Sequence, residues 1–264
     1  MSCPSATLVV WTSAWLHGAA AADDVLDALQ TWAELHEVIA ADHGTATAMD
    51  LPGPGDAATG PALLLAALRR AGASTGELVL PVPGDVRGLG GRGPLSEAAL
   101  GVGEAATLPG IGVGLVPEPV AEGVLRWTVY DLVPPTGSEY VPIGEAEHGL
   151  ADAMRDATAA LVSLDVARHR PNVRSEIEAL VTGQPATPWP AGMPPRALRV
   201  LQRAAEVAAI VAVAASDAPG AAVSASATRA RADALRPLST AVRRARCAAI
   251  AEAVRVLSDH ADQH

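Results

Sequence analysis

Between residues 82 and 105 the chain reads VPGDVRGLGGRGPLSEAALGVGEA, the densest gathering of glycine and charge in its length. Gly88, Gly90 and Gly93 spell G-x-G-x-x-G between an apolar run and a helix-prone one. In a dinucleotide fold such glycines let backbone amides reach a pyrophosphate seated on the positive end of the next helix. Glu118, ending a following strand, stands where an acid would meet a ribose. Three features oppose that match. The first glycine falls several residues past the strand, Pro94 removes an amide that should face phosphate, and the two strands that follow are too closely spaced for a crossover helix. A small-anion site asks less of the same residues: Arg87 and Arg92 would supply charge, Gly88, Gly90 and Gly93 backbone amides, and Asp85 a bond to a sugar hydroxyl or to the loop itself. Against it stands a surface loop whose glycines permit positive φ and whose arginines meet acids elsewhere, and this plainer account carries more weight.

Other chemistry-bearing residues are sparse. His36 and His43, seven residues apart, fall on one expected helix about 10 Å apart along its axis, too far to share a zinc whose bonds are about 2 Å. His36 then lies on an apolar stripe and suits a hydrogen-bonded core position, His43 suits a helix end, and His17 and His148 lack ligand partners nearby, so no metal or other cofactor is expected. Cys247 falls on a helical seam with Ile250, Val254 and Leu257 and reads as a small buried hydrophobe, with Cys3 in a frayed terminus. Two cysteines make no disulfide framework and fit a reducing, cytoplasmic compartment. The chain has no lysine, which excludes a P-loop lysine, a kinase strand lysine and a pyridoxal Schiff base. No G-x-S-x-G, H-E-x-x-H or paired CxxC occurs.

Charge is unevenly placed along the 264 residues: residues 1–149 hold 5 arginines against 18 acids, and residues 150–264 hold 14 against 11. Arg196, Arg199 and Arg203 line one helical face, and Arg229, Arg236 and Arg243 recur every seven residues. Their stems can cover an alanine-rich bundle, their heads can dock on the acidic half of the same chain or a second copy, or they can meet a polyanion. With net charge −10 and only 3% aromatics, the chain is a poor match for nucleic acid. Asn172 is the sole asparagine and phenylalanine is absent, a skew that GC-rich codon usage imposes.

The elements that must hold these residues divide into two parts. ATLVVW (6–11) reads as a buried strand, and residues 22–44 as a helix with Asp23 or Asp24 at its cap, a Val25, Leu29, Trp32, Ile39 stripe and Gly44 as its stop. Residues 45–51 read as a weak strand, 62–72 as a helix closed by Gly72, 77–83 as a strand and 95–106 as a helix. Residues 112–118 and 124–132 follow as strands so close together that they must pair antiparallel. Helices then take over: Leu150, Met154, Ala157, Leu161 and Leu164 mark a bundle seam that Pro171 interrupts. After a proline-rich connection over 182–195, helices are expected over 195–216, 222–236 and 237–259, with Gly220 resetting the chain and Pro237 at a first helical position. The opening apolar stretch lacks arginine and is broken by Thr12, Ser13 and His17, so a first core element is favoured over an export signal. No stretch is long enough to cross a bilayer.

The phrases LVLPVPGDVRGLGG, SLDVARHRP and ALRPLSTAVRRA resemble conserved hypothetical proteins of GC-rich actinobacteria. That resemblance implies the same two-part organisation and brings no activity, ligand or catalytic residue with it. The expectation is therefore an α/β or α+β fold: a mixed sheet of about five strands with helices over 1–140, and a helical half over 141–264. Its expected role is that of a non-catalytic, cytoplasmic binding or regulatory protein that self-associates through its C-terminal helices or meets a protein partner. The alternative is a small-anion or nucleotide module, or a small-molecule enzyme, working at residues 84–93.

Overall fold

The computed structural model describes residues 2–133, 140–163, 172–183, 185–216 and 225–261. These fall into two compact units. One gathers residues 2–133, 186–194 and 250–261, the other residues 140–163, 172–183, 185, 195–216 and 225–249.

The first unit is built on a five-stranded mixed sheet in the order β1–β5–β4–β3–β2. β1 (Leu35–Ala40) runs parallel to β5 (Val124–Asp131). β4 (Val113–Ala121) pairs antiparallel with β5 and with β3 (Ala105–Leu108), and β3 pairs antiparallel with β2 (Glu77–Val79). Strand alternation sends His36, Val38, Ala40, Leu115, Leu125, Trp127 and Val129 to one buried face. Helices α1 (Pro4–Leu16), α2 (Ala22–Gln30) and α4 (Pro61–Arg70) cover it, joined among themselves by Trp11, Trp15, Val25, Ala28 and Leu65. The opposite face carries α5 (Pro94–Val102), whose Leu95 and Ala99 pack on Val79, Ala105 and Val116. Gly114 makes that seat possible, since a Cβ there would come within 2.5 Å of the Leu95 side chain. α5 stops short of the β5–β1 side, where Glu37, Ile39, Arg126, Thr128 and Tyr130 stay half-exposed.

Several expected elements take another form. Residues 6–11 belong to α1, not to a strand. The helix is apolar around its circumference, with Ser5 through Trp15 all buried, so no periodicity distinguishes it from a strand. Its cues are Pro4 in the first turn and a run of 13 residues, long for a strand. Cys3, expected in a frayed terminus, is the buried N-cap residue of α1. The helix expected over 22–44 ends at Gln30, with Asp24 bonding back to the Ala21 amide, and LHEVIA becomes β1. Trp32, His36 and Ile39 satisfy a helical spacing by coincidence, while His36, Val38 and Ala40 satisfy the strand's period of two and pair with β5. His36 and His43 therefore lie on different elements. Residues 45–51 fall largely in α3 (His43–Met49), nucleated by Asp42, whose carboxylate accepts from the Thr45 amide at 2.9 Å. The helix expected over 95–106 gives way to β3 after Gly103, which takes a left-handed φ of 87°.

The second unit is helical: α6 (Ile143–Ser163), α7 (Val173–Thr182), α8 (Pro195–Ser216) and α9 (Ala225–Ala261) to residue 249. Leu150 and Ala157 of the α6 seam are buried, and Leu164 lies outside the described residues, as do Pro171 and Gly220. Arg196 reaches Glu147 of α6 at 2.9 Å and Arg203 approaches the Met154 sulfur at 3.7 Å, so these two arginines tie α8 to α6. α9 is one helix with Pro237 inside it, not two helices meeting there. The proline deprives the Asp233 carbonyl of its usual amide donor. Cys247 is half-buried, whereas Ile250, Val254 and Leu257 on its seam are buried.

Candidate functional site

The glycine loop leaves β2 through a tight turn in which Val82 and Asp85 exchange backbone hydrogen bonds of 3.1 and 2.8 Å. Asp85 accepts from Arg87 through both carboxylate oxygens, at 2.9 and 3.2 Å. Two glycines then serve packing. A Cβ on Gly88, at φ 87°, would come within 2.9 Å of the Val79 side chain, and one on Gly90, at φ 70°, would overlap the Val133 carbonyl oxygen. Leu89 between them is buried in the cluster under α5. Gly93 starts α5, its amide donating to the Ser96 hydroxyl, which donates back to the Gly93 carbonyl.

The six loop residues do not converge on one point. Gly90, Arg92 and Gly93 line a recess of about 260 Å³ that Asp42, Tyr130 and Asp131 also line. Asp85, Arg87 and Gly88 lie outside it. Arg87 is matched to Asp85, and Arg92 shares its recess with the carboxylates of Asp42 and Asp131, a field that opposes an anion. The Thr45 amide and hydroxyl on Asp42 hold its carboxyl below the usual range, which keeps that charge in place.

A larger groove of about 750 Å³ opens where α5 leaves the sheet uncovered. Val116 of the α5 face and, around the free edge of β4, Pro117, Pro119 and Leu125 of the opposite face give it an apolar lining, with Ala98, Gly101 and Val102 of α5 on one side and Pro4 and Trp32 at its end. Its polar side chains are Glu104, Glu118, Thr128 and Tyr130. Glu104 also anchors α1, its Oε2 accepting from the Ser5 amide at 2.8 Å, and the Trp32 indole N–H donates to Thr7 at 2.9 Å. Tyr130 borders both cavities. Burial raises its phenol pKa, the charge of Glu118 adds to that, and a hydrogen bond with Thr128 opposes it. Sequence reasoning passed over Trp32, Glu104, Thr128 and Tyr130. The readable signal was the alternation in β5, where Arg126, Thr128 and Tyr130 interleave with Leu125, Trp127 and Val129, so that one face of that strand is polar.

The histidines carry other duties. The Trp127 indole N–H can only donate, so His36 Nδ1, 3.0 Å away, accepts, and Nε2 therefore bears the proton it donates to the Leu29 carbonyl at 2.9 Å. Burial lowers the His36 pKa, which keeps the ring neutral. His17 bonds the Ser13 carbonyl, and His148 lies 3.5 Å from Asp152. Among the described residues, no three His, Cys, Asp or Glu side chains are grouped to hold a metal ion, and no helix is long and apolar enough to cross a membrane.

The N-terminal domain model of the Rv1486c-like proteins matches residues 5–140, and the C-terminal domain model of the same family matches residues 144–247. The chain is 40% identical to the uncharacterized protein Rv1486c of Mycobacterium tuberculosis, covering 95% of this chain and 96% of that one. It is 35% identical to the uncharacterized protein ML1804 of Mycobacterium leprae and 34% to MAV321 of Mycobacterium avium, each covering 95% of this chain and 97% of the relative. The expected likeness to actinobacterial proteins without assigned function is thus met. No solved structure matches the chain.

Proposed function

The chain belongs to the Rv1486c-like protein family, and we propose that it is a cytoplasmic, non-catalytic binding protein that takes a small molecule in the groove between α5, β4 and β5. The observation that carries this is the groove itself. At about 750 Å³ it has the volume of a small-molecule pocket, with an apolar lining and a few polar groups around it. A binding role is supported by how the titratable groups are engaged. His36 is held on both ring nitrogens, Asp42 caps α3, and the Tyr130 phenol is shifted away from the anion a nucleophile or base would need. A chain with two cysteines and no disulfide between them fits the cytoplasmic setting. The anion account of Asp85, Arg87, Gly88, Gly90, Arg92 and Gly93 draws less support, because Arg87 already has Asp85 and Arg92 shares its recess with Asp42 and Asp131.

Titration of a fragment library into isotope-labelled protein tests the assignment. Hits are expected to move the Trp32 indole signal and the backbone amides of Val116, Thr128 and Tyr130, and Ala98→Trp, which fills the groove from α5, is expected to abolish them. Hits that map elsewhere, or that survive Ala98→Trp in a folded variant, would overturn it.

Self-association through the C-terminal helices is a second reading, favoured by α7. Val173, Ile177, Leu180 and Val181 share one side of that helix, yet none of its residues is buried. Sedimentation at tens of micromolar is expected to show a dimer, and Leu180→Glu to dissociate it; a monomeric wild type would remove this reading.

A further inference from the structure

We infer that the molecule held in this groove is cationic, an amine or guanidine on an apolar body, with its charged end between Glu118, Glu104 and the exposed edge of β4. The inference rests on the binding role given to the groove above, and two independent features point to it.

The first is the charge on the walls. The two charged residues lining the groove are both glutamates, its other polar side chains are hydroxyls, and no arginine is among them. Arg126 is the cross-strand partner of Glu118, but its Nε and Nη2 both bond Glu37 Oε2, at 2.9 and 2.6 Å. That cation is drawn along β1 and away from the groove. Glu104 commits Oε2 to the Ser5 amide and has a second oxygen, Oε1, to offer.

The second is the backbone of β4. In an antiparallel pair each residue either exchanges both of its hydrogen bonds with the residue opposite or turns both groups to the other side. Pro117 and Pro119 stand opposite Trp127 and Leu125 and have no N–H to exchange, so their carbonyls turn away from β5. β3 does not meet them, since its pairing with β4 ends at Ala106 opposite Leu115. Both prolines line the groove. This stretch of edge therefore presents acceptors without alternating donors. An ammonium or guanidinium has donors and no acceptor, which is the complement. A carboxylate or phosphate would find two like charges and no amide on this edge. Trp32 and Tyr130 add aromatic surface of the kind that favours a cation over a neutral group of the same shape.

Three probes with one body separate the possibilities: 2-phenylethylamine, 2-phenylethanol and 3-phenylpropionate, titrated at pH 7 against the full chain, with the Trp32 indole and Thr128 amide signals as readout. The amine is expected to bind about tenfold more tightly than the alcohol, and the advantage to shrink as salt is raised. Glu118→Gln is expected to remove the amine's advantage over the alcohol. If the alcohol or the propionate matches the amine at these signals, the cation inference falls and the groove assignment stands. If none of the three moves the groove signals while other fragments do, the cation inference again falls alone. If nothing moves them, both fall.

Discussion

The two faces of the sheet receive the same five strands and are finished differently. On one, α1, α2 and α4 bury His36, Val38, Leu115, Trp127 and Val129 almost completely, and the polar pair at its centre is matched, Trp127 to His36 and His36 to Leu29. On the other, one short helix seats itself over β2–β4, and β5 is left with a half-exposed row of arginine, threonine and tyrosine. Satisfied, close-packed surface costs the most to disturb, whereas a partly covered, polar surface is where a ligand can add contacts that the chain does not make with itself. The difference teaches that the closely packed face carries the fold, while the partly covered face and the free edge of β4 beside it are left open to recognition.

That division is broken most directly at Trp127, which is fully buried. Trp127→Ala empties the centre of the covered face and orphans His36 Nδ1, so it is expected to destabilise by about 3–5 kcal/mol in urea unfolding. A loss under about 1 kcal/mol would mean that this face is not the one holding the fold, and the contrast between the faces would go with it.

How far these features can be read from the chain follows the same contrast. The later strands announce themselves, because β5 alternates and its short link to β4 permits only antiparallel pairing. β1 and α1 do not. LHEVIA fits both helical and strand periods until pairing with β5 decides, and α1, being apolar all round, has no period to read. The glycine loop drew attention because glycine is conspicuous, yet at Gly88 and Gly90 it answers to Val79 and Val133, neighbours that only the tertiary fold supplies. The groove was illegible for a related reason. Its lining comes from α1, the turn after α2, α5, the turn between α5 and β3, β4 and β5, none of which carries a motif, and its edge of acceptors depends on where β3 stops.

His36 sharpens the comparison through pH. Burial lowers its pKa, so the folded chain binds fewer protons there than the unfolded chain does, and stability rises with pH. The contribution is complete above the unfolded value of about 6.5 and is lost as pH falls from there through the folded value. Protonation would also set a second N–H against the Trp127 indole N–H. Unfolding free energies measured from pH 7.5 downward are expected to fall with a slope from this group of at most about 1.4 kcal/mol per pH unit, and His36→Gln is expected to flatten that limb. An unchanged acid limb in the variant would show that the sealed face tolerates a charged ring.

The smallest effect is expected at Tyr130, and its smallness is what makes it informative. The phenol projects from the half-covered face between two cavities, bonded to Thr128 at its own strand's surface. Tyr130→Phe keeps the ring against the cluster under α5 and removes only the hydroxyl, so unfolding free energy is expected to move by no more than about 0.5 kcal/mol. Binding of 2-phenylethanol should weaken by about three- to tenfold, the equivalent of one neutral hydrogen bond. If instead the variant loses stability comparable to Trp127→Ala and binds the alcohol unchanged, Tyr130 belongs to the core rather than to a site, because losing the hydroxyl would then cost the fold and not the ligand. A variant that is stable but weakened in binding places recognition on this face by the same reasoning.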